Sequence, residues 1–189
     1  MTSGLASPGA EILCFVCTAN VIRSPLAAAL LTQRIGAAEP RIAIMSAGLV
    51  VDPAQVAPPD ARAVAEHMRV DLSGHRARAL TEDLIKQAQL VLTMTHDHRG
   101  AVMRRDVTAY ARVFTIAEFV RLSARGAGPT RPSAAATAAH ALRSRTAPVG
   151  FSEDVPDPIG QPLAEMRRIG RRLETLVDGV AAVLRGHTE

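Results

Sequence analysis

The chain of 189 residues has the length of a single domain, and an apolar content of 48% is enough to build a core, so wholesale disorder is excluded. Its net charge of +4 is carried almost entirely by arginine, with Lys86 the single lysine; no basic stretch is interleaved with aromatic rings, which argues against nucleic-acid binding. No run approaches the ~20 apolar residues of a membrane span, and residues 1–10 lack the basic and apolar regions of a secretion signal, so neither membrane insertion nor export is expected.

Residues 1–10 read as a flexible start and 11–189 as one domain. Residues 11–17 read as a strand, continuously apolar after Glu11, the pattern of a strand covered on both faces in a parallel sheet. A polar loop with Thr18, Asn20 and Ser24 follows, and Pro25 opens a helix. Residues 41–45 read as a second strand, ended by Ser46-Ala47-Gly48, and the proline-rich stretch 49–59 as a loop. A helix is expected over 60–68, a turn-rich segment over 72–75 and a short helix capped at Thr81. Residues 89–94 form a third strand, 96–106 a helix, 112–116 a fourth strand and 117–123 another helix.

Residues 124–150 change character, being rich in Ala, Pro and Arg. They read as an insertion or mobile flap with a centre able to form a short helix, and such a segment can fold over a cleft as a lid. The spacing of Leu163, Met166, Ile169, Leu173, Val177, Val180 and Leu184 predicts a final long helix. On it Arg167, Arg168, Arg171 and Arg172 read as a solvated face. Strands alternating with helices imply an α/β fold around a parallel sheet.

Cys14 and Cys17 are the only cysteines. On one strand, residues three apart point to opposite faces and lie ~10 Å apart, too far for a disulfide. Cys14 therefore reads as a small buried side chain, and a free thiol at Cys17 suits a reducing cytoplasm.

The chemistry concentrates in residues 17–25, CTANVIRSP, where Cys17 and Arg23 bracket five residues between a strand and a helix. A helix N-terminus offers unpaired N–H groups and the positive end of a dipole. A loop winding into it forms a cradle for a tetrahedral oxyanion, and the same field favours a thiolate at Cys17. The Arg23 guanidinium can bind two phosphoryl oxygens at once, and the Ser24 hydroxyl can donate to the sulfur as it leaves.

This segment resembles the phosphate loop of the low-molecular-weight protein tyrosine phosphatases, C-[LT]-G-N-x-C-R-S-P. Further stretches are similar to the same family in the same order: Ser46-Ala47-Gly48, residues 58–63, 71–80 and 90–94, and Asp157-Pro158. The resemblance implies a three-layer α/β sandwich with a four-stranded parallel sheet, strand order 2-1-3-4, and helices on both faces. It implies hydrolysis of protein phosphotyrosine through a phosphocysteine on Cys17, with Arg23 as clamp and Asp157 as general acid and base. Thr18, Ala19, Asn20, Val21, Ile22 and Ser24 would line the phosphate site, and Asn20, Ser46 and His75 would brace it. The partner implied is a phosphorylated protein in the cytoplasm; no cofactor and no metal is called for.

Departures open alternatives. Ala19 stands where the family carries Gly, a cost of about 1 kcal/mol if the loop turns left-handed there. Ile22 replaces a frequent second Cys, and Ile159 an aromatic wall of the substrate slot; Leu49, Val50 and Val51 supply no ring either. Val21 is closer to the Ile of tyrosine-specific members than to the Thr of arginine-specific relatives. A protein arginine phosphatase is the first alternative. A thiol-dependent arsenate reductase and a non-catalytic phosphate-binding protein are further ones.

Overall fold

A computed structural model describes residues 9–36, 38–52, 54–124, 131–146 and 153–185. Most of the expected flexible start, residues 1–8, lies outside these. The first strand, β1 (Glu11–Cys17), alternates its side chains between two apolar layers. Leu13, Phe15 and Cys17 enter one cluster, Cys14 and Val16 the other. That division explains the unbroken apolar run, because neither face of the strand meets water.

Around β1 lie β2 (Ile42–Gly48), β3 (Ala88–Thr93) and β4 (Val113–Thr115), all parallel, in the order β2-β1-β3-β4. The larger apolar layer is closed by α1 (Arg23–Ile35), α2 (Pro59–His67), α5 (Ile116–Ser123), α6 (Pro132–Arg143) and α7 (Leu163–Leu184). The smaller is closed by α3 (Glu82–Gln87), α4 (His96–Arg105) and a 3₁₀ turn at Val107–Arg112. This is the three-layer α/β arrangement expected from the sequence, with the expected strand order. The final helix occupies the residues its periodicity predicts, Leu163–Leu184, with Arg167, Arg168 and Arg171 on its exposed side and Arg172 half-buried.

Three helices start on a threonine. Thr81, Thr95 and Thr115 each accept the N–H of the residue three positions on, which fills one of the orphan donors of a first turn. Thr95 matters most here. It starts α4 two residues beyond the end of β3, so that the first turn of α4 stands beside the end of β1.

The segment read as a flap is not one over its centre. Residues Pro132–Arg143 form α6, with Pro132, Ala135, Ala136 and Ala139 buried. The small side chains let the helix lie close against its neighbours. Its start is fixed to Glu11, which accepts from the Ser133 N–H at 2.8 Å and the Ser133 hydroxyl at 2.8 Å. Its end is fixed by Arg143, which bonds Glu118 at 2.8 Å and donates to the carbonyls of Tyr110 and Val113. The same guanidinium lies 4.7 Å from the Tyr110 ring centre and 4.1 Å from that of Phe114. Glu11 begins β1 and Cys17 ends it, a separation of roughly 20 Å. The helix therefore packs at the far end of the sheet from Cys17 and is no lid; residues 125–130 and 147–152, on either side of it, lie outside the described chain.

Candidate active site

The end of β1 delivers Cys17 to the carboxyl edge of the sheet, where parallel α/β folds place their sites. Residues 18–22 then wind back to the start of α1 at Arg23, two residues earlier than Pro25 suggested. The loop is held by its carbonyls. Leu49 N–H donates to Cys17 O at 3.0 Å, Val50 N–H to Thr18 O at 2.9 Å, and His75 Nε2–H to Asn20 O at 2.6 Å. The backbone N–H groups of residues 18–22 donate to no protein acceptor among the described residues. Outward carbonyls and unsatisfied amides give the loop the chemistry to cradle an anion.

Asn20 is the keystone. Its φ is +56°, a left-handed conformation that asparagine tolerates. Its side-chain N–H groups reach Ser24 Oγ and Ser46 Oγ, each at 2.9 Å, and its Oδ1 accepts Arg78 N–H at 2.8 Å. The left-handed turn falls at Asn20, and Ala19 keeps a negative φ, so the substitution of Ala for Gly strains nothing. Val21 and Ile22 turn inward and are buried.

Cys17 is 3% exposed, and its Sγ lies 3.0 Å from Ser24 Oγ. The Ser24 hydroxyl accepts from Asn20, which leaves its single proton for the sulfur or for the Ala47 carbonyl at 3.3 Å. Cys14 is fully buried on the opposite face of the sheet, and burial pushes its thiol up to about 12. It is an inert packing residue.

Arg23 is 5% exposed and enters the site from the first turn of α1. It donates to the Val155 carbonyl at 3.2 Å, to Thr18 Oγ1 at 3.4 Å, and to Asp157 Oδ2 at 2.7 Å. The segment carrying Asp157 is anchored on three sides. Val155 N–H donates to Met94 O, His96 pairs with Asp154 at 2.7 Å, and Arg121 pairs with Glu153 at 2.8 Å. At the rim, Val50 and Ile159 are exposed aliphatic side chains, one following the Thr18 brace and the other beside Asp157.

The structure thus brings together Cys17, Thr18, Asn20, Arg23, Ser24, Ser46, His75 and Asp157. Sequence reasoning missed His98, buried in the first turn of α4 with Nε2 2.9 Å from Thr18 Oγ1. The one available signal was its place just beyond a parallel strand's carboxyl end. Burial, reinforced by the neighbouring Arg23 charge, pushes the His98 imidazole down to about 4 from 6.5. His75 is also held down, first by burial and then by Arg78 and Arg76. In the unfolded chain both rings take up protons near pH ~6.5, before the folded protein does. Their stabilisation is therefore complete above that pH and is lost as pH falls toward the folded values. For His98 the loss reaches up to about 3 kcal/mol. Thermal melts between about pH 7 and about pH 4.5 should show it, and His98→Gln should flatten the curve; a wild-type melting temperature constant over that range contradicts it.

Gly48 closes the back of the loop. A Cβ there would sit 2.8 Å from Thr18 O and 2.9 Å from the Ala19 carbonyl carbon, both backbone atoms that cannot swing aside. Gly48→Ala is expected to cost about 1–3 kcal/mol as overpacking and to displace the cradle. Chemical denaturation and oxyanion affinity would both register it; unchanged values in both would show that the loop yields freely.

A family profile described as low molecular weight phosphotyrosine protein phosphatase matches residues 12–129. A protein-arginine-phosphatase of Geobacillus stearothermophilus is 29% identical over 90% of this chain and 93% of its own. A probable low molecular weight protein-tyrosine-phosphatase, EpsP, of Ralstonia nicotianae is 35% identical over 54% of this chain and 68% of its own. Among solved structures, a YwlE mutant from Bacillus subtilis superposes with a TM-score of 0.71 at 27% identity, covering 93% of this chain and 99% of its own. The low molecular weight protein tyrosine phosphatase from T. tengcongensis gives 0.69 at 27% identity, over 90% and 97%.

Proposed function

Because the chain belongs to the low molecular weight phosphotyrosine protein phosphatase family, we propose that it hydrolyses protein phosphotyrosine through a phosphocysteine on Cys17. The observation that carries this reading is the cradle itself. A buried sulfur lies under unbonded amides, with a hydroxyl at 3.0 Å and a buried guanidinium at the mouth.

In the first step the Cys17 thiolate attacks phosphorus, the P–S bond forms and the P–O ester bond breaks. Asp157 gives its proton to the departing phenolate oxygen. Arg23 and the amides of residues 18–22 hold the equatorial oxygens as charge redistributes. In the second step water attacks the phosphocysteine, Asp157 takes the water's proton and the P–S bond breaks. Ser24 donates to the leaving sulfur, its hydroxyl oriented by Asn20. His75 acts by fixing the Asn20 carbonyl, and Ser46 by holding the Asn20 side chain that ties the loop to Ser24 and Arg78; together they aim the amides. No cofactor or metal enters the scheme. A nucleophilic thiol of this kind fits a cytoplasmic setting, and no helix among the described residues is long and apolar enough to cross a membrane.

A second reading, phosphoarginine hydrolysis, is favoured by the relative that spans 90% of the chain and by the aliphatic rim of Val50 and Ile159. Against it stands Val21, which brings no hydroxyl to the loop. Rates on matched phosphotyrosine and phosphoarginine peptides separate the two. A kcat/KM at least about tenfold higher on phosphotyrosine is expected, equal to about 1.4 kcal/mol of discrimination; the reverse order would transfer the assignment to arginine. An arsenate-reducing relay finds no support, since Cys14 lies across the sheet from Cys17.

A further inference from the structure

The hydrogen bonds around Thr18 contain an imbalance that the scheme above does not use. His98 is 8% exposed, its Nε2 meets Thr18 Oγ1 at 2.9 Å, and its Nδ1 is buried without a partner among the described residues. One of the two ring nitrogens carries a proton. Were it Nδ1, the ring would hold an orphaned buried donor, which folded proteins almost never tolerate; a bare lone pair is the milder defect. The proton therefore belongs on Nε2, and His98 donates to Thr18. Arg23 also donates to Thr18, at 3.4 Å. A hydroxyl oxygen has two acceptor sites and one proton. With both acceptor sites directed to His98 and Arg23, the Thr18 proton has no protein acceptor among the described residues, and Thr18 is exposed at the mouth of the cradle beside the clamp.

We propose that His98 turns the Thr18 hydroxyl proton toward the bound phosphoryl group, so that the Thr18 side chain is an additional oxyanion donor and His98 its positioning residue. The inference rests on the cradle being the phosphate site. It adds a side-chain donor to the amides and the guanidinium, on the flank where α4 meets the loop. Such a donor touches a charged oxygen in both bound substrate and transition state. Its loss should therefore raise KM more than it lowers kcat.

The test is a double-mutant cycle read by calorimetric vanadate affinity and by kcat and KM on p-nitrophenyl phosphate. Thr18→Val should weaken vanadate by about tenfold, the usual scale of a bond to a charged acceptor, with a matching rise in KM. Thr18→Ser should recover affinity relative to Thr18→Val. His98→Ala should reproduce the loss, and His98→Gln, whose amide can donate from a similar place, should recover part of it. In the Thr18→Val background His98→Ala should add nothing, because its effect passes through that hydroxyl. Unchanged vanadate affinity in Thr18→Val, or losses in the double variant that multiply, would overturn the proposal. Should His98→Ala fail to fold, Thr18→Val and His98→Gln still decide it. A wild type that binds vanadate without turnover would remove the hydrolase reading alone, and the affinity cycle would judge the donor by itself.

Discussion

Cys17→Ser and Cys17→Ala each lose hydrolysis of p-nitrophenyl phosphate by at least about a thousand-fold, the scale seen when a covalent nucleophile is removed. The reason lies in what surrounds the sulfur. Its hydrogen-bond partner is the Ser24 hydroxyl at 3.0 Å, and among the described residues no carboxylate or imidazole is in hydrogen-bond reach of it to act as a base. A serine alcohol in that place would need its proton removed, and nothing there removes it. The side chain is small and almost wholly buried, so either replacement leaves the fold in place. Cys14→Ala supplies the control. That thiol lies on the other face of the sheet, and its loss should cost on the order of 1 kcal/mol of packing and no turnover. Equal rates for Cys17→Ala and wild type would end the covalent scheme.

Asp157→Ala should produce two opposite changes at once. Turnover of a phosphotyrosine peptide falls by about 10²–10³, because the phenolate must leave without a proton donor. The fall is smaller with p-nitrophenyl phosphate, whose leaving group needs less help. Affinity for inorganic phosphate, by contrast, rises. The Asp157 carboxylate holds Arg23 at 2.7 Å, on a side chain that is 47% exposed and can swing away. An incoming oxyanion must take the guanidinium from that carboxylate, and removing the carboxylate removes the competitor. Isothermal titration with phosphate and steady-state rates on the peptide give both numbers. A variant that bound phosphate more weakly, or that kept full turnover, would show that the ion pair and the proton transfer belong to different residues.

Much of this was legible in the chain because the information is local. The strand of residues 11–17, apolar after Glu11, the five residues between Cys17 and Arg23, and the helix start at Ser24-Pro25 sit within a short stretch. Together they dictate a strand, a loop and a helix N-terminus in contact. The final helix was equally plain, since its apolar residues repeat with the period of one buried face. What escaped depends on partners far away in sequence. Helix α6 was legible only as a short helix that the Ala-rich centre of the segment could form; its packing was not. It becomes a packed helix only because Glu11 receives its first turn and Glu118 receives Arg143, 122 and 25 residues away in the chain. The sequence left open whether the loop turns left-handed at Ala19, where the family carries Gly; the turn falls one position on, at Asn20. His98 gave no motif at all; its meaning comes from Thr95 starting α4 beside the end of β1.

The carbonyl braces of the loop have a bearing on how the protein assembles. Leu49, Val50, His75 and Arg78 reach Cys17, Thr18 and Asn20 across some thirty to sixty residues of intervening chain. Parallel strands and such distant pairings form slowly, after the entropy of closing long loops has been met. The bowl under Cys17 therefore comes into being near the end of refolding, and the sulfur stays open to a bulky alkylating reagent until then. In a Cys14→Ala background, which leaves one thiol in the chain, pulse labelling at successive delays would time the closing of the whole sheet with a single atom.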